Sequence, residues 1–158
     1  KAIELNPSNA ILYYKSGEAK VKVKDYLGAI SDYNKAIEIN KNYSTYYISR
    51  AYSKRVIGDY QGGIDDLKKS IEVDSSPANS ELAYTNLCLM NNEIKEFNMA
   101  IFYCNKALNL NNNSYSVFLN RSISKKGLGD LKGSNKDCIK AKELVDENSK
   151  SLVENYCE

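Results

Sequence analysis

Apolar residues recur along this chain with the period of a helix. Tyr26, Ala29, Ile30, Tyr33, Ala36 and Ile37 stand at i, i+3, i+4, i+7 and beyond, the spacing that gathers side chains on one helical face. The stretch from Ala10 to Val23 predicts a second helix of similar length before it. Between two such helices falls a short turn, clearest further along as Gly58-Asp59 and Gly129-Asp130. Glycine suits the left-handed residue that closes a helix, and aspartate accepts hydrogen bonds from the free N–H groups that open the next one. The pattern predicts a helical hairpin.

The hairpin is repeated. Lys-Ala-Ile-Glu-Leu at 1, Lys-Ala-Ile-Glu-Ile at 35, Lys-Ser-Ile-Glu-Val at 69, Lys-Ala-Leu-Asn-Leu at 106 and Lys-Ala-Lys-Glu-Leu at 140 are near copies. Their starts keep one regular period, and only the step from 69 to 106 is longer than the others. This divides the chain into the tail of an earlier repeat (1–9), four whole repeats (10–43, 44–77, 81–114, 115–148) and a partial C-terminal capping helix (149–158), with 78–80 as an insertion. Lys1 then falls inside a repeat, so a longer parent protein is expected. Three columns are small throughout: Gly17, Ala51, Cys88, Ser122; Ala29, Gly63, Ala100, Ser134; and Ala36, Ser70, Ala107, Ala141. Two helices approach closely only where side chains leave room, so these columns predict a tight crossing in every hairpin. Tyr13, Tyr47, Tyr84, Phe118 and Tyr26, Tyr60, Phe97, Leu131 supply the large partners.

Charge and rare residues narrow the function. Lys and Arg number 22 against 20 Asp and Glu among 158 residues, too even a balance for holding nucleic acid or an anionic membrane. No apolar run approaches a membrane span. Histidine is absent, which removes the commonest acid/base group and metal ligand near neutral pH. No enzyme, metal or cofactor is expected. Cys88, Cys104, Cys138 and Cys157 include no close pair, so reduced thiols in the cytoplasm are expected, Cys104 and Cys138 as buried small hydrophobes and Cys157 as the exposed one. Asp65-Asp66 and the carboxylates at Glu143, Asp146 and Glu147 are expected on solvated helix faces. Asparagine occurs 19 times. Asn91-Asn92 and Asn111-Asn112-Asn113 fall where helices should end, since asparagine tolerates the left-handed conformation.

Period, small columns and aromatic columns together resemble the tetratricopeptide repeat (TPR) family, over essentially the whole chain. Lys20, Lys54, Asn91 and Lys125 depart from it by standing where the family favours Tyr. The closing Pro is present only as Pro7. The resemblance implies an all-α, right-handed superhelical solenoid of helix-turn-helix repeats, with the first helix of each pair lining a concave groove. By helical spacing that face carries Tyr14, Lys15, Glu18 and Lys22; Ile48, Ser49, Tyr52 and Arg55; Thr85, Asn86, Leu89 and Glu93; and Leu119, Asn120, Ile123 and Lys126.

A mixed, mildly basic face rich in aromatic and amide groups fits an extended peptide or a partner helix. The resemblance implies that Asn86 and Asn120, at corresponding places in successive repeats, hold a ligand backbone through their two-sided amides; coincidence among 19 asparagines is the alternative. The family's carboxylate clamp for chaperone tails is matched at one position of five. Ile48, Tyr52, Ser116 and Asn120 replace its other members, and the charge-assisted hydrogen bonds of such a site are lost. Arg50 and Arg121 are expected to bridge adjacent repeats as surface ion pairs. The expected function is a protein-interaction scaffold without catalysis. The alternatives are the recruiting arm of an enzyme whose catalytic domain lies elsewhere, and self-association through the solenoid ends.

Overall fold

A computed structural model of the chain describes residues 6–146 together with 153, 154, 156 and 157. Among the described residues there are eight helices and no strand: α1 (Ala10–Lys22), α2 (Tyr26–Ile39), α3 (Ser44–Val56), α4 (Tyr60–Val73), α5 (Pro77–Glu93), α6 (Phe97–Leu110), α7 (Tyr115–Gly127) and α8 (Leu131–Leu144). The chain forms two compact units, 1–79 and 80–158. In the first, α2 packs on both α1 and α3, and α3 packs on α4; in the second, α7 packs on both α6 and α8. The fold is all-α and built of hairpins. Helix α5 is 17 residues long where the other first helices have 13. The longer step in the sequence spacing is absorbed as one more helical turn opened by Pro77, whose missing N–H is harmless at a first helical position.

Local chemistry accounts for the ends of the helices. Asp25, Asp59 and Asp130 each accept a hydrogen bond from the backbone N–H three residues on, at 2.9, 3.0 and 2.8 Å. The residue before each cap, and before Glu96, has positive φ: Lys24, Gly58, Lys95 and Gly129. Glycine is therefore used at two of four equivalent turns, and lysine accepts the strained conformation at the others. The second helices end differently from expectation. Asn111 is extended (φ −143°), not left-handed, because its side chain accepts the Asn113 N–H at 3.0 Å. Asn40 and Asp74 close α2 and α4 with the same turn. Asn91 and Asn92 lie inside α5, and Asn91 is buried with its amide donating to the Leu87 carbonyl at 2.7 Å.

Every member of the three small columns is buried. A Cβ placed on Gly17 would come within 2.5 Å of the Tyr33 ring, which shows what the first column faces: the residue 16 places on, in the second helix of the same hairpin. The pairs are Gly17 with Tyr33, Ala51 with Leu67, Cys88 with Cys104 and Ser122 with Cys138. Small meets large in the first two. In the third, two sulfurs meet, and Cys88–Cys104 is a disulfide. Cys138 bonds Cys157 instead and lies 3.1 Å from Ser122 Oγ. The expectation of reduced thiols is overturned: the described residues include no free cysteine. The argument for a cytoplasmic compartment drawn from free thiols goes with it, since disulfides persist where the surroundings are oxidising. Cys157, expected free and exposed, is half-buried and bonded. No helix among the described residues is long and apolar enough to cross a membrane.

The lysines that replace the family's Tyr have a common role. Lys20, Lys54 and Lys125 each reach a carboxylate on the second helix of their own hairpin: Asp32 at 2.8 Å, Asp66 at 2.9 Å and Asp137 at 2.7 Å. Repeat 3 lacks both partners together, having Asn91 and Tyr103. Arg50 and Arg121 add a two-pronged bond to Asp66 and Asp137 and donate across to the preceding hairpin, to Asn34 and Asn105, each at 2.7 Å. They do bridge adjacent repeats, but not as surface pairs. Asp66 is 4 % exposed and Asp137 2 %, so the expectation of a solvated Asp66 is corrected: its burial is sustained by two cations. Leu131 is also corrected. Tyr26 packs edge-on against Tyr52 of the next first helix, with ring centres 6.4 Å apart, whereas Leu131 is 65 % exposed.

Candidate functional site

The predicted face of unit 1 assembles around α1 and α3. Residues 48, 52 and 55 lie on one stripe of α3, opposite residues 14, 18, 21 and 22 of α1, because both helices keep the i, i+4, i+7 spacing. Glu18, Val21, Lys22, Tyr33, Ile48, Ser49 and Tyr52 line an open cleft of about 300 Å³. Tyr14 stands beside it and donates its hydroxyl to Glu18 at 3.0 Å, while Lys15 pairs with the other Glu18 oxygen at 2.9 Å. Hydrogen bonding from Lys15 holds the Glu18 carboxyl below its ordinary value. Tyr14 and Lys15 are thus engaged within the protein.

Tyr33 and Val21 are the members of the cleft that the predicted faces leave out, Val21 beside Lys22 on α1 and Tyr33 on another helix. Tyr33 belongs to α2, and its place on the apolar stripe marks it as core. Its ring does lie in the core, 2 % exposed, yet Gly17 leaves the gap through which it reaches the cleft. Burial pushes its hydroxyl up to about 12 and also raises that of Tyr14. The floor of the cleft is therefore aromatic and neutral at physiological pH. Its signal in the sequence is the smallest member of a small column, Gly17, set against a Tyr in the second helix of the same hairpin.

Arg55 lies above the exposed Tyr52 ring, its guanidinium carbon 5.4 Å from the ring centre, a cation–π geometry. Its Nε is buried and has no hydrogen-bond partner among the described residues.

In unit 2 the predicted residues are less available. Asn86 donates its amide to the Leu82 carbonyl at 2.8 Å and Asn120 to the Ser116 carbonyl at 2.9 Å. Each bond returns to the residue's own helix and spends one of the two amide N–H groups there, leaving the other N–H and the amide oxygen for a ligand. Asn92, expected at a helix end, instead ties α5 to α7: its amide donates to the Asn120 carbonyl at 2.8 Å and accepts from Ser124 at 2.6 Å. Leu89 is half-buried. Leu119 is 8 % exposed, packed with Ala141 and Val153. It belongs to a core and not to an open groove, because Val153 covers it. Lys126 is exposed and lines a cleft of about 150 Å³ with Leu131, Ser134, Tyr156 and Cys157. No group of metal-ligating side chains occurs among the described residues.

Comparison with known proteins agrees with this architecture. Residues 10–43 match the tetratricopeptide repeat family model. The sequence matches no curated protein significantly. Among solved structures, MamA is similar with a TM-score of 0.85 at 20 % identity, over 96 % of this chain and 86 % of that one. YrrB, described as a TPR protein with an unusual peptide-binding site, is similar with a TM-score of 0.78 at 20 % identity, over 99 % of this chain and 78 % of its own. PilF of Pseudomonas aeruginosa gives 0.81 at 20 % identity, over 96 % and 68 %. At these identities the likeness is one of fold.

Proposed function

We propose, from the premise that this chain has the tetratricopeptide-repeat fold, that it is a protein-interaction scaffold which binds a peptide or helical segment of a partner on the faces of its first helices. The observation that carries the reading is the cleft of about 300 Å³ between α1 and α3. It is concave and walled by Val21, Tyr33, Ile48 and Tyr52, with a few polar groups at its edge, which is the composition of a recognition site. Aromatic and arginine side chains such as the exposed Tyr52 and the half-buried Arg55 are the types that most often anchor an interface. Asn86 and Asn120 offer amide oxygens to a ligand's backbone N–H groups.

Replacing Tyr52, Asn86 and Asn120 together by Ala tests this. Capture of a partner segment by the 158-residue chain should weaken at least about tenfold, while the helical circular dichroism stays unchanged. Undiminished capture by a folded triple variant refutes the assignment of these faces.

A further inference from the structure

The cleft in unit 1 has one apolar wall and a rim in which cations outnumber acids. Glu18 is the only acid among the described residues that line it, and that carboxylate is already met by Lys15 at 2.9 Å and by the Tyr14 hydroxyl at 3.0 Å. Lys22 and Arg55 have no such partner among the described residues. Lys22 is the last residue of α1 and Arg55 the last but one of α3, so both cations lie at the same end of the cleft, one turn beyond Glu18 and Tyr52. Arg55 also holds a buried Nε without an acceptor. A buried donor left unmet costs free energy that a bound acceptor would return, and a guanidinium fits a carboxylate in a two-pronged bond.

We infer that unit 1 recognises a partner segment carrying a large apolar side chain with an aspartate or glutamate close beside it. The inference rests on the scaffold reading above. The apolar side chain fills the cleft against Val21, Ile48 and Tyr52. The acidic one lies toward the helix ends and takes the Arg55 fork, with Lys22 adding its charge. A segment with a basic neighbour instead meets Arg55 and Lys22, neither hydrogen-bonded to an acid among the described residues, and is rejected by like-charge repulsion. The pairing of an internal carboxylate with an apolar anchor differs from the capture of a chain terminus, for which this chain lacks the residues.

The experiment selects random displayed peptides of about twelve residues on the immobilised full chain and then measures synthetic copies by fluorescence anisotropy. The selected peptides should share a large apolar residue with Asp or Glu within about two positions. A Lys22→Glu/Arg55→Glu chain with unchanged circular dichroism should bind them at least about tenfold more weakly and enrich Lys or Arg at those positions instead. Should that variant not fold, Lys22→Gln/Arg55→Gln serves: binding should weaken about fivefold and lose the salt dependence that the parent chain shows. If wild type selects basic neighbours, or parent and charge variants select the same peptides, the inference is overturned, and the scaffold reading survives provided the Tyr52/Asn86/Asn120 variant still loses those peptides. Peptides retained by that triple variant, or no selection at all, overturn both.

Discussion

Gly17 does two things that no larger residue can do in its place. It lets the Tyr33 ring cross the hairpin, and it thereby puts a phenol on the floor of the cleft. A Cβ there would stand 2.5 Å from the ring, inside any real contact, and the ring is held in a core where it cannot retreat. Gly17→Ala should therefore destabilise unit 1 by about 1–3 kcal/mol through overpacking, despite the better helix propensity of alanine. Urea unfolding of the two proteins measures it, and a more stable variant would refute the packing argument. The smallness of position 17 is plain from the column it shares with Ala51, Cys88 and Ser122. What lies opposite is not, because a column records size and not partner. For the same reason the sequence leaves Cys88 and Cys104 as two separate buried thiols.

Between helices, the Asp137 cluster shows how polar groups lock a hairpin. Burial alone would raise the Asp137 carboxyl, but hydrogen bonds and charge from Arg121 and Lys125 outweigh it and hold the group below its ordinary value. A carboxyl depressed in the folded state adds stability at pH values above its unfolded value, and that stability is lost as pH falls through the depressed one. Unit 2 should lose stability on acidification below about pH 4. Asp137→Asn should cost about 2–4 kcal/mol at pH 7 by leaving two partly buried cations unpaired, and should flatten part of the acid dependence. Urea midpoints of both proteins at neutral and acid pH check the sign; an equal acid loss in the variant would assign it to other groups. The helices themselves, their turns and the bridging role of Arg50 and Arg121 are legible from period and column. The burial of Asp66 is not, because periodicity places a residue on a helix face without saying what neighbour covers it.

The two units of the molecule differ in their covalent chemistry. Unit 2 holds Cys88–Cys104 and Cys138–Cys157, closing loops of 16 and 19 residues, while unit 1 has no cysteine. Each bond of this length removes unfolded-state entropy equivalent to about 3 kcal/mol in the chain-entropy account. In the oxidised protein, hydrogen exchange in unit 2 should be slower than after dithiothreitol treatment, with unit 1 unaffected by the reductant. Cys157→Ser should reproduce the part of that change located around Leu119 and Ala141. Exchange that ignores the reductant would show that the bonds do not stabilise unit 2.

Periodicity, small columns and turn residues are enough to establish repeated helical hairpins, because these depend on spacing along one chain, and composition alone removes histidine from the chemistry. Packing decides the rest: which sulfurs meet, which carboxylates take the lysines, that Leu119 is covered, that Asn86 and Asn120 each spend one amide N–H on their own helices, and that Arg55 has a donor to offer. Those outcomes turn on small differences in distance between side chains from different helices, and a repeating sequence pattern carries no record of them.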